Sequence, residues 1–157
     1  MLRNLLQLKL NFLFFLLTSL WLIGILWEVF SSYFNSAIIL LPFLKYNFSL
    51  VCHTQSEKLF NIGQYHTLVC SRCFGIYSGV FIASFLSLFD LKLNIKSKLF
   101  ILTSIPLILD VLLSSLNFYQ YSKLIALFTG VLLGFIGYFY IIDSLNLLFN
   151  KKVVVKP

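Results

Sequence analysis

The sequence predicts an all-α, polytopic membrane protein with about four transmembrane helices and a short interfacial or re-entrant segment. Three observations predict it. Of the 157 residues, 60% are hydrophobic and only 11% charged, with a mean hydropathy of +0.96. A soluble domain carries about a quarter charged residues and could not hide so much apolar surface. The apolar residues fall in runs long enough to cross about 30 Å of hydrocarbon at ~1.5 Å per helical residue. Finally, Lys and Arg occur in short clusters between those runs, where topology signals lie, so the net charge of +7 makes no case for nucleic acid.

The first span covers residues 12–30 and contains Trp21 and Trp27. Arg3 and Lys9 precede it as they would a signal peptide. The apolar run exceeds a usual signal core, however, and no small-x-small cleavage site closes it, so it reads as an uncleaved anchor. Residues 37–44 are apolar but too few to span, and Pro42 lies among them. They read as the interfacial or re-entrant piece leading to Cys52. Spans two, three and four cover residues 70–89, 99–116 and 123–145. No linker or low-complexity tract divides the chain, so 1–157 reads as a single transmembrane domain.

Orientation follows from the cations. Arg3 and Lys9 precede span one, Lys92, Lys96 and Lys98 follow span two, and Lys151, Lys152 and Lys156 follow span four. With four spans these three segments share one side, which the positive-inside rule makes the cytoplasm. Both termini are then inside. The long 31–69 loop and the 117–122 turn face outward, where Tyr119 and Tyr121 suit an interfacial belt.

The outward side carries the chemistry. Cys52, Cys70 and Cys73, with His53 and His66, all fall in or beside the 31–69 loop, in the pattern C-H-x(16)-C-x(2)-C. Zinc takes four N/S ligands tetrahedrally, and Cys-x-x-Cys supplies two thiolates from one backbone bend. Cys52, His53, Cys70 and Cys73 therefore read as a metal site, with zinc the expected ion. Thiol–disulfide exchange by Cys70 and Cys73 is the alternative, since a helix N-terminus and Arg72 would both lower a thiol pKa. A static disulfide with one cysteine spare is the plainest reading. His66, in a polar stretch, reads as a solvated loop residue.

Two features surround that site. Ser71, Gly75, Gly79, Ala83 and Ser87 recur every four residues in span two, and Ser122, Ala126, Gly130 and Gly134 do so in span four. Small residues at this spacing allow close helix approach in lipid, so spans two and four should touch. At 100° per residue, Cys70, Cys73 and Tyr77 turn to a different face. Asp110 lies inside span three, where an unpaired carboxylate is costly and marks a functional site by default. Arg72 and Lys123 are its candidate partners. The three together are the candidates for a catalytic or ligand role, against a structural ion pair.

Cys52-His53, Glu57-Lys58-Leu59-Phe60 and Cys70-Ser71-Arg72-Cys73-Phe74-Gly75-Ile76-Tyr77-Ser78-Gly79 resemble a family of small bacterial integral membrane proteins that is itself a domain of unknown function. Its signature runs Cys-His-Gln, Glu-Arg-Ser-Phe, Cys-x-Arg-Cys-x-Gly-Ile-Tyr-x-Gly. A later Pro-x-x-x-Asp-Gly, and a basic residue shortly before Thr-Gly, also belong to it. Pro106 with Asp110, and Lys123 with Thr129-Gly130, match these last two. Thr54, Lys58, Leu59, Val111 and Lys123 depart from the pattern, and Lys in place of Arg keeps the charge but loses the bidentate fork. The resemblance implies a bacterial cytoplasmic membrane protein and names no reaction. Three function classes follow: a zinc-binding membrane protein, a membrane thiol oxidoreductase, or a non-catalytic binder of a partner, small molecule or anionic lipid, in which Arg72, Lys58 and Lys123 attract phosphate.

Overall fold

In the computed structural model the described residues are 2–31, 35–52, 55–89, 91, 93, 95–116, 118 and 120–154, with side chains described for all but 2–7, 35–37 and 148–154. His53, Lys92, Asn117, Tyr119 and Lys156 lie outside the described residues, as do the side chains of Arg3, Lys151 and Lys152.

The chain is an all-α membrane protein with one small hairpin. Helix α1 (Leu2–Ile25) runs to a break at Leu26 and continues as the short α2 (Trp27–Ser31). In lipid a hydroxyl needs an internal acceptor. Thr18 and Ser19 find theirs one turn back, on the carbonyls of Phe14 (2.9 Å) and Phe15 (2.7 Å). A 3-10 turn (Asn35–Leu40) leads into α3 (Leu41–Val51), so the apolar segment that seemed too short around Pro42 forms a longer helical piece. The reason is position. Pro42 occupies the first turn, where no backbone donor is needed and its fixed φ favours starting a helix.

Strands β1 (Leu59–Ile62) and β2 (Tyr65–Cys70) then form an antiparallel hairpin within the stretch that the sequence predicts to be loop. Ile62 pairs with Tyr65 across the two-residue turn Gly63-Gln64, and Gly63 takes the φ of +64° that such a turn demands. The register slips between Leu59 and Asn61. The fully buried Thr67 hydroxyl fills that irregularity, accepting from the Phe60 N–H (3.1 Å) and donating to the Val69 carbonyl (2.8 Å). Helices α4 (Ser71–Ser87), α5 (Ser97–Ser115) and α6 (Lys123–Val154) complete the chain. Helices α1, α5 and α6 are long and apolar enough to cross a membrane. Helix α4, expected over 70–89, has 17 residues because Cys70 belongs to β2 and the chain turns after Ser87.

The packing fixes relative directions. A Cβ on Gly75 would strike the Leu127 carbonyl oxygen, one on Gly79 the Val131 carbonyl oxygen, and one on Gly134 the Ile76 carbonyl oxygen. Spans two and four thus touch through their small-residue stripes, as expected, and because both numbers rise together the two helices are parallel. Helix α1 runs the other way along α4. Asn11 bonds to the Ser87 carbonyl (3.4 Å), the Thr18 hydroxyl meets that of Ser84 (3.3 Å), and Trp21 meets Tyr77 at 5.7 Å between ring centroids. Helix α5 is also antiparallel, with the Phe100 and Tyr140 rings stacked at 4.8 Å near one end and Asp110 on Arg72 at the other. Two buried clusters result. Ala83, Ile95, Tyr138 and Phe139 close the end where α4 finishes. Ile25, Phe48, Cys52, Leu68 and Val69 close the opposite end, roofed by α2, α3 and the hairpin.

Candidate metal centre

That roof gathers the cysteines. Cys52 caps the C-terminus of α3 with its N–H on the Phe48 carbonyl, and it is buried because Phe48 and Ile25 pack beneath it. Cys70 ends β2, and Cys73 lies in the first turn of α4, so the strand-to-helix bend sets the spacing of the pair. The three Sγ atoms lie within 4.8 Å of one another, and all three cysteines are free thiols. The Cys70 N–H donates to the Cys52 Sγ at 3.3 Å, the type of bond that stabilises a thiolate. Hydrogen bonding from Cys52 and then Cys73 pulls the Cys70 thiol well below its ordinary pKa, and the Arg72 charge assists. The same exchange with Cys70 pushes the Cys52 thiol up. Three close thiols cannot all ionise freely, whereas a divalent cation among them would hold all three as thiolates.

Aromatic rings line the apolar side of the cluster. Trp21 sits edge-on to Phe48 (5.2 Å), and Tyr77 packs against the same buried group. Cys73 and Tyr77 therefore face α1 and α3 while Gly75 faces α6, the separation of faces that helical spacing implies.

On the polar side, Arg72 separates the two α4-proximal cysteines in sequence and reaches α5. Its Nε donates to Asp110 Oδ2 at 3.1 Å, and its terminal nitrogen bonds the same oxygen. The Asp110 side chain is 3% exposed and that of Arg72 18%, so this is an internal ion pair. Asp110 is the buried residue of α5, while Thr103 and Ser114 bond their own helix backbone. Of its two candidate partners, Arg72 takes the carboxylate. Lys123 is directed elsewhere, donating to Asn61 Oδ1 at 3.0 Å. His66 stands 3.1 Å from the same amide oxygen through Nδ1 and is not part of the thiol group. Sequence reasoning missed Asn61 and Tyr121 as neighbours. Tyr121 lies under Lys58 (5.8 Å to the ring centroid) and Arg72 (5.6 Å). The hairpin signal at Gly63-Gln64 would have brought Asn61 beside His66. Glu28 pairs with Lys45 at 3.3 Å.

Cys52, Cys70, Cys73, Arg72, Asp110 and Lys123 are thus brought to one end of the bundle. The comparisons with known proteins cover the same stretch. A family model described as "Predicted membrane protein (DUF2085)" matches residues 52–140, from the first cysteine into α6. An uncharacterised protein of Methanocaldococcus jannaschii is 30% identical over 109 residues, which are 67% of this chain and 70% of that protein. No solved structure matches. The chain belongs to this family of membrane proteins of unknown function (DUF2085).

Proposed function

We propose that the chain is a metal-binding protein of the bacterial cytoplasmic membrane, holding zinc on Cys52, Cys70 and Cys73 with His53 as the fourth ligand. One observation carries this reading: three thiols from three separate elements converge within 4.8 Å. Thiolates around tetrahedral zinc, at ~2.3 Å from the ion, stand roughly 3.8 Å apart. A disulfide would join only two of the three and leave the third thiol of the cluster unaccounted for. Arg72 suits the reading too, since three thiolates around one divalent ion leave a net negative charge that a neighbouring guanidinium offsets.

The centre faces outward, and both termini face the cytoplasm. Antiparallel α1 and α4, with α6 parallel to α4, put the Lys9 and Lys96–Lys98 segments at the end opposite the cysteines, and the positive-inside rule makes that end cytoplasmic. Cobalt substitution tests the ligand set. Cobalt(II) added to the metal-depleted protein should give intense visible bands and sulfur-to-metal charge transfer, and these should fade in Cys52→Ser as much as in Cys70→Ser. Weak octahedral bands, or a spectrum indifferent to Cys52, would refute the three-thiolate centre. Thiol–disulfide exchange would appear in the same sample as thiols that titrate in pairs and resist metal after mild oxidation.

A further inference from the structure

A cluster of basic side chains adjoins the thiol centre, and the metal reading does not account for it. Lys58 immediately precedes β1, Arg72 opens α4, and Lys123 opens α6. The hairpin packing brings the first two against Tyr121, two residues before Lys123. Arg72 is engaged by Asp110. Among the described residues, no carboxylate lies within ion-pair distance of Lys58 or Lys123. The Asn61 amide oxygen that Lys123 contacts is neutral and already faces His66, so it satisfies a donor without discharging an ammonium.

Tyr121 supplies a second, independent sign. Its hydroxyl is buried and has no hydrogen-bond partner among the described residues. Ser71 lies beside it without meeting hydrogen-bond geometry, and the Ser71 hydroxyl donates to the Lys58 carbonyl at 3.1 Å. A buried hydroxyl normally has a partner, so this unpaired phenol O–H is a donor available to a ligand at the site. Phe118, Leu124 and Phe128, close in sequence to Tyr121 and Lys123, have exposed apolar side chains.

We propose that this basic cluster binds a phosphate-bearing anion. The ammonium groups of Lys58 and Lys123 bind its oxygens and the Tyr121 hydroxyl donates a further hydrogen bond, while Arg72 stays on Asp110. Lysine binds phosphate as a point charge and does not need the planar fork that arginine presents. A lipid headgroup and free phosphate share this chemistry. The exposed Phe118, Leu124 and Phe128 would lie along the acyl chains if the source is a lipid. The proposal uses residues distinct from the thiol ligands and does not depend on the metal.

The test uses the full chain in maltoside micelles, which contain no phosphate, titrated calorimetrically with inorganic phosphate or with dioctanoyl phosphatidic acid. Saturable binding of both assigns a free-phosphate site, and saturable binding of the lipid alone assigns a headgroup site. Lys58→Gln and Lys123→Gln should each weaken binding about tenfold, the loss of one charged hydrogen bond. Tyr121→Phe should weaken it several-fold without altering metal content. Lys45→Ala, which removes a cation already paired with Glu28, should leave it unchanged. Absence of saturable binding to either probe overturns the proposal. So does binding that Lys45→Ala weakens as much as Lys58→Gln, or that ignores Tyr121→Phe, because it would then be diffuse charge attraction.

Discussion

Asp110→Asn removes the negative half of the internal ion pair while keeping the side chain's shape. With Arg72 Nε 3.1 Å from Oδ2, the Coulomb attraction at an effective dielectric of ~20 is about 5 kcal/mol. Desolvating both ions consumes much of that, so the pair as a whole contributes little net stability. Breaking it from one side is different. The guanidinium remains where its side chain is only 18% exposed, and an uncompensated internal charge costs about 3–5 kcal/mol. Asparagine keeps one acceptor, which places the expected loss near 3 kcal/mol, about a hundredfold in the folded-to-unfolded ratio. Denaturation in micelles can be followed by tryptophan emission, because Trp21 packs on Phe48 and Tyr77 beneath the thiol centre and reports its loosening. Adding Arg72→Met to Asp110→Asn should recover most of the loss. A single variant that loses under 1 kcal/mol, or a double variant no more stable than the single, would refute the internal pair.

Three further outcomes follow from the same structure. Gly79→Ala should destabilise by about 1–3 kcal/mol, because its new methyl meets the Val131 carbonyl oxygen, whereas Gly137→Ala should be tolerated, its Cβ standing 3.5 Å from a Phe100 ring carbon; thermal melts of the two compare them directly. A protease-accessible tag placed after Pro157 should be cut only from the cytoplasmic side of sealed vesicles, and cleavage from the outside would reverse the topology. Tyr121 should ionise above the usual phenol value of 10, because burial disfavours tyrosinate. Its folded form therefore holds the proton more tightly, and its contribution to stability, complete below pH 10, is lost as pH rises through the folded pKa. The tyrosinate absorbance difference between wild type and Tyr121→Phe should rise later than that of a free phenol, and an earlier rise would contradict the burial.

Much of this arrangement is legible in the sequence because membrane proteins leave strong one-dimensional signals. Hydrocarbon thickness dictates run length, so α1, α5 and α6 stand out as apolar stretches. Small residues every four positions mark a contact because only they allow backbones to approach, and Gly75, Gly79, Gly130 and Gly134 all lie in it. The concentration of Cys52, Cys70 and Cys73 in and beside one loop foreshadows their convergence. The features missed are those set by short-range geometry or by choice among partners. Polar residues around Gly63 look like loop, and only the two-residue turn flanked by Ile62 and Tyr65 betrays the hairpin. Arg72 and Lys123 were equal claimants on Asp110 in sequence. The hairpin decides between them, since Asn61 in β1 takes the lysine.

The central claim is that the three thiols are metal ligands, and metal content combined with thiol counting on one sample purified without chelator tests it most directly. The proposal predicts about one zinc per chain, thiols that stay unreactive to alkylation until a chelator is added, and loss of the metal in Cys70→Ser with Cys73→Ser. A metal-free protein whose thiols alkylate at once, or one in which a pair is recovered as disulfide, would contradict it.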